Sequence, residues 1–160
     1  MNPNIPEFPT CPADEASIIG SILIGGAATL KEVSDAGISE LSFDEPHLAL
    51  AFRSAIETAG AGRPVTATEV LTRVMKSGSP ANIGMIERTQ ETIGTPLNVG
   101  HHIPAVLEAS QRRSVMRSAI EALTSAANPQ MPLERARAAL QSIQIKPPSD
   151  GSVLSGESLV

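Results

Sequence analysis

Two helical stripes meet at the run Gly60-Ala61-Gly62-Arg63-Pro64-Val65-Thr66, and this junction does most to limit what the chain can become. Before it, Leu48, Ala51, Phe52, Ala55, Ile56 and Ala59 recur at i, i+3, i+4, i+7, i+8 and i+11, the apolar face of one amphipathic helix. Gly60 and Gly62 can adopt the left-handed conformation that stops a helix. After it, Thr66 and Glu69 read as a capping box, with Val65 and Val70 placed as a hydrophobic staple. Val70, Leu71, Val74 and Met75 then form a second inward stripe.

The same punctuation recurs elsewhere. Pro12 suits a first turn, and Ile18, Ile19, Ile22 and Leu23 share a face, predicting a helix over 12–23. Gly25-Gly26 breaks it, and a short helix over 27–35 ends at Gly37. Ser42-Phe43-Asp44-Glu45 reads as another capping box, reinforced by Pro46. Gly78 stops the helix that Thr66 opens; Ser79-Pro80 starts one carrying Ile83, Ile86 and Ile93 before Gly94. A long helix is expected over 98–128, with Pro104 either kinking it or marking its start. Its apolar stripe is Met116, Ala119, Ile120, Leu123, Ala126 and Ala127. Asn128-Pro129-Gln130 makes a turn, and Pro132 opens a last helix with Leu133, Ala136, Leu140 and Ile143 on one side.

With no strand alternation and no internal repeat, the expected fold class is all-α. A small helical bundle over 12–94 is followed by a long antiparallel helical hairpin over 98–145. A flexible arm over 1–11 carries Pro3, Pro6 and Pro9, and a Ser-, Gly- and Pro-rich linker fills 146–160. The 160 residues fit one domain with tails. Three Phe, no Trp and no Tyr leave the core to Ile, Leu, Val, Met and Ala, and count against stacking of bases on aromatic rings.

The net charge of -5 argues against a strong nucleic-acid binder. Residues 1–60 carry nine acids against two bases, and residues 61–160 eight acids against ten bases, a polarity suited to protein contacts. The single cysteine, Cys11, allows no internal disulfide, and a cytoplasmic location is expected. Neither a signal peptide nor a long apolar run stands out, so no membrane association is expected.

Chemistry is sparse. The phosphate-binding pattern G-x-x-x-x-G-K-(S/T) is missing, so no ATP hydrolysis and no cofactor are expected. Adjacent His101 and His102 diverge by about 100° on a helix, a poor metal pair, and His47 fits packing near a helix start. No catalytic or metal residues are assigned. Arg112, Arg113 and Arg117 form a basic cluster on the long helix, with Arg135 and Arg137 on its partner. Read plainly this is a solvated face; read more sharply it contacts an acidic partner, or makes a minor contact to DNA passing nearby. Val115, Met116, Ile120, Leu123 and Leu140 are candidates for pairing with another copy of the hairpin.

Several of these stretches resemble the N-terminal domain of DnaB-type replicative DNA helicases. Gly62-Arg63-Pro64-Val65-Thr66-Ala67-Thr68-Glu69-Val70-Leu71 is similar to that domain's "G-x-P-V-(D/T)" stretch. Glu15 to Leu23 resembles its first helix, and Phe43 to His47 with Leu50, Phe52, Ala55 and Ile56 resembles its next element. Pro96-Leu97-Asn98-Val99, with Glu108 and Arg113 downstream, resembles the start of its hairpin. Phe52 falls five residues after His47, where the family usually has its aromatic at four, and no tyrosine follows Asn98.

The resemblance implies a non-catalytic domain whose copies pair through their hairpins, as a dimer or within a hexameric helicase. It also implies docking of primase or a helicase loader. A stand-alone adaptor or loading factor mimicking the domain is the alternative; a reading frame continuing into a phosphate-binding loop would separate the two. A small helical DNA-binding regulator is a further alternative, opposed by the charge.

Overall fold

The computed structural model describes residues 6–77, 83–91 and 98–143. The helix signals at Gly78, Ser79, Pro80, Ile93 and Gly94 and the 146–160 linker lie outside the described residues. Among the described residues the regular structure is helical: α1 (Pro12–Asp35), a 3-10 turn (Glu40–Ser42), α2 (Pro46–Gly60), α3 (Ala67–Lys76), α4 (Ile83–Glu91), α5 (Val99–Ala127) and α6 (Leu133–Ser142). Two compact units divide inside α5, Met1–Arg113 and Ser114–Val160.

The first unit is a bundle in which α1 packs on α4 and α2, and α2 on α3. Ile18, Ile19, Ile22, Val33, Leu48, Phe52, Val70, Val74 and Ile86 are buried in one cluster. Each large aliphatic side chain so placed contributes roughly 1.5–3 kcal/mol. The first half of α5 belongs here, because Val99, Ile103 and Val106 fall on one face and join the same core. The sequence reading assigns all of α5 to the hairpin; its early stripe is bundle core. Phe43 and Phe52 pack with ring centroids 5.3 Å apart.

At the α2–α3 junction the stop is Gly62, at φ 70°, rather than Gly60. Gly62 N–H donates to Ala59 O and Arg63 N–H to Thr58 O, a Schellman motif that satisfies the last carbonyls of α2. Thr66 Oγ1 accepts from Glu69 N–H at 3.3 Å, but the Glu69 carboxylate pairs with Arg63, so only half of the expected box closes. Val65 and Val70 are buried as the staple requires, whereas Ile56 and Met75 are exposed, not inward.

α1 combines the two expected helices, interrupted at Gly26 (φ 69°, ψ -148°). A Cβ there would stand 3.2 Å from the Val65 carbonyl oxygen, so the break is also where the α2–α3 link approaches closely. α1 is long and apolar enough to cross a membrane by length and composition, contrary to the expectation of no such run. Half of its most apolar window is nevertheless buried inside the bundle, as suits a core helix. The Ser42–Glu45 capping box does not form: Ser42 Oγ accepts from Ser39 N–H, and the start of α2 is held instead by Glu15. Pro104 lies inside α5, neither starting nor ending it.

The second unit is the rest of α5, a turn in which Gln130 N–H donates to Asn128 Oδ1, and α6. Its seam is made of small residues: Ala122 and Ser125 on α5, Ala136 and Ala139 on α6 are buried. Ser142 Oγ donates to Ala139 O at 2.7 Å and lies 3.1 Å from Ser118 Oγ across the seam, where it can accept from the Ser118 hydroxyl.

Candidate functional site

In the bundle, the most unusual side chain is Arg113, 1% exposed. Its Nη2 donates to Ser42 O at 2.7 Å and its Nη1 to Pro9 O at 3.0 Å. Glu15, wholly buried on α1, lies 3.6 Å away, and Asp44 3.7 Å. Glu15 also accepts from the backbone N–H groups of Asp44 at 3.0 Å and Glu45 at 3.2 Å, the orphan donors ahead of α2. One buried carboxylate thus serves a guanidinium and a helix start together. Arg113 is therefore not part of an exposed basic cluster: its position one turn beyond Ala109 turns it into the core, where only a set of oxygens makes a charge tolerable.

The rest of the basic cluster is exposed but locally neutralised. Arg112 pairs with Glu108 at 2.6 Å, Arg135 with Glu121 at 3.6 Å and Arg137 with Glu134 at 3.0 Å. Arg117 is exposed as well. Pairs of this kind contribute little, about 0–1 kcal/mol each. The plain solvated-face reading fits them.

The hairpin's large apolar side chains do not fill its own seam. At about 100° per residue, Ile120 and Leu123 lie on the side of α5 turned away from the Ala122–Ser125 seam. Leu123 is 72% exposed, Leu140 57%, Leu133 58% and Ile120 40%. Leu133 and Leu140 thus do not share the inward face of Ala136. Val115 and Met116 are half-buried.

The histidines are dispersed. His47 Nδ1 is 3.6 Å from Glu45, His102 Nδ1 is 2.9 Å from Asp14 Oδ1, and His101 is exposed. His102 is thus tied down, not simply at the surface. Among the described residues no three His, Cys, Asp or Glu side chains gather as a metal would need. A surface cleft of about 420 Å³ is lined by ion-paired Arg63, Glu69, Arg73 and Glu57 with Thr72, Lys76 and Ser77, and the Thr72 and Ser77 hydroxyls donate to the backbone carbonyls of Thr68 and Val74. Cys11 is half-buried; burial first, then Glu15 and Asp14, push its thiol above the ordinary value, and Arg113 pulls it partly back.

No family model and no curated protein sequence matches the chain. Solved structures do. The N-terminal domain of DnaB helicase from Mycobacterium tuberculosis superposes with a TM-score of 0.76 at 20% identity, over 86% of this chain and 98% of that one. A DnaB-like replicative helicase, described with its interactions with primase, superposes with a TM-score of 0.64 at 16% identity, over 86% of this chain. The chain spans 32% of that helicase's length. This chain has the fold of the N-terminal domain of DnaB helicase.

Proposed function

We propose that the chain is a non-catalytic assembly and partner-docking domain of a DnaB-like replicative helicase, working in the cytoplasm on DNA replication. The observation that carries the reading is the inversion of the hairpin, with alanines inside and Ile120, Leu123, Leu133 and Leu140 outside. Large aliphatic side chains left in water on two neighbouring helices favour a second apolar surface, and each one covered is worth roughly 1.5–3 kcal/mol. A second copy of the hairpin is that surface in this proposal, and primase or a loader is the further partner. Support for primase is the solved helicase of the same fold described with primase interactions.

Light scattering over a range of concentrations tests it, on the native chain and on Leu123→Glu and Leu140→Glu. A dimer or larger species that both variants dissolve, with helicity retained, is expected. Because both leucines are exposed, the variants should fold normally. A monomer at every concentration would overturn self-assembly by this domain and favour the adaptor reading.

A further inference from the structure

Residues 6–10 form neither helix nor strand, and Pro6, Glu7, Phe8 and Thr10 are exposed. The segment is nevertheless tied to α5 at successive points. Cys11 Sγ lies 3.8 Å from Ala105 O, and Pro9 O accepts from Arg113 Nη1. Just behind it, Asp14 on α1 meets His102 on α5. Of the oxygens around the buried guanidinium, those of Ser42, Glu15 and Asp44 belong to the bundle itself. Among the described residues, the arm contributes Pro9 O. Removing the arm therefore leaves Arg113 neutralised and the start of α2 still held by Glu15, but frees one donor.

We propose that residues 6–10 are a releasable strap across α5, latched through Pro9 to Arg113 and hinged at Cys11, whose carbonyl starts α1, and that its release bares Arg113, the Cys11 thiol and the α5 stretch from Ala105 onward. A buried donor without an acceptor is unfavourable, so the place left by Pro9 is refilled by the strap itself or by an extended segment offering a carbonyl or carboxylate oxygen. The prolines keep the strap extended and reduce the entropy lost when it closes again.

Cys11, the single thiol, reports on the latch. Its rate of modification by a thiol reagent is measured on the native chain in increasing urea, below the unfolding transition. A local strap opening exposes little surface, so the rate should stay flat in urea. Arg113→Lys keeps the positive charge that favours the thiolate but loses the fork serving Pro9 O and Ser42 O together. It should label roughly tenfold faster, the equivalent of one hydrogen bond, with helicity unchanged. Removing residues 2–10 should do the same while leaving Arg113 in place, which decides the matter even if Arg113→Lys fails to fold. A rate that climbs from the outset with the slope of global unfolding overturns the proposal. So does native labelling as fast as in the unfolded chain, or a rate that the truncation leaves unchanged.

Discussion

Up to Arg113, most large aliphatic side chains are inside: Ile18, Ile19, Ile22, Leu48, Val70 and Ile86 are all but inaccessible, while Ile24, Leu41, Ile56, Met75 and Met85 are exposed one by one. In the hairpin from Ser114 onward, the buried positions belong to Ala122, Ser125, Ala136 and Ala139, while Leu123, Leu133 and Leu140 face water. The first unit uses most of its hydrophobic surface within itself and adds a buried polar hub. The second closes a narrow seam with small residues and leaves its larger ones uncovered. Self-sufficiency and availability are opposite uses of the same residue types, and the division falls within one continuous helix, α5.

The strongest way to break this comparison is to disable the hub. Arg113→Leu strands the wholly buried Glu15 carboxylate, and losing one partner of such a pair costs about 3–5 kcal/mol. Urea unfolding followed by circular dichroism should show the bundle losing that much. A loss below about 1 kcal/mol would mean that Glu15 is satisfied by the Asp44 and Glu45 amides alone, and that the bundle rests on apolar packing without the ion pair.

This hub shows why only part of the molecule is legible in the sequence. The stripes of α2 and α3 and the stop at residues 60–62 are local patterns, and the helices follow them. Periodicity identifies which face of a helix is apolar but not whether anything covers it. Hence Ile56 and Met75, each read as inward, are exposed in the fold. Glu15 and Arg113 both belong to stretches that carry the helicase resemblance, yet one sequence offers no means of pairing them. The available signal was local: Glu15 stands on the same face as Ile18, Ile19 and Ile22, where an unpartnered acid has no place. Arg113 continues the spacing of Val99, Ile103, Val106 and Ala109, which assigns it to the bundle rather than to the basic surface beside it.

A smaller effect sharpens the hairpin side of the comparison. Ala139→Leu inserts three heavy atoms into a seam that alanines keep closed, and overpacking of this kind costs about 1–3 kcal/mol. Leu123→Ala, on the exposed side, should change the stability of the monomer by no more than about 0.5 kcal/mol. Hydrogen exchange in α6 distinguishes the two: faster for Ala139→Leu, unchanged for Leu123→Ala. Equal effects would mean that the leucines and alanines share one packed environment, which would remove the contrast between the units.

The smallest effect concerns the α2–α3 junction, whose stability comes from backbone closure as well as packing. Thr66→Ala removes the one side-chain cap of α3, and a lost cap of this type costs about 1 kcal/mol. A fully closed box would cost more, because the Thr66 and Glu69 side chains would then each satisfy the other's backbone donor. Here Glu69 turns to Arg63 at 3.0 Å, and Thr66 N–H donates to Pro64 O instead. Glu69→Ala should therefore cost less than Thr66→Ala, and the double variant should lose the sum of the two. A double variant that loses clearly less than the sum would show the pair acting as one unit, with the Glu69 side chain reaching back to the Thr66 amide.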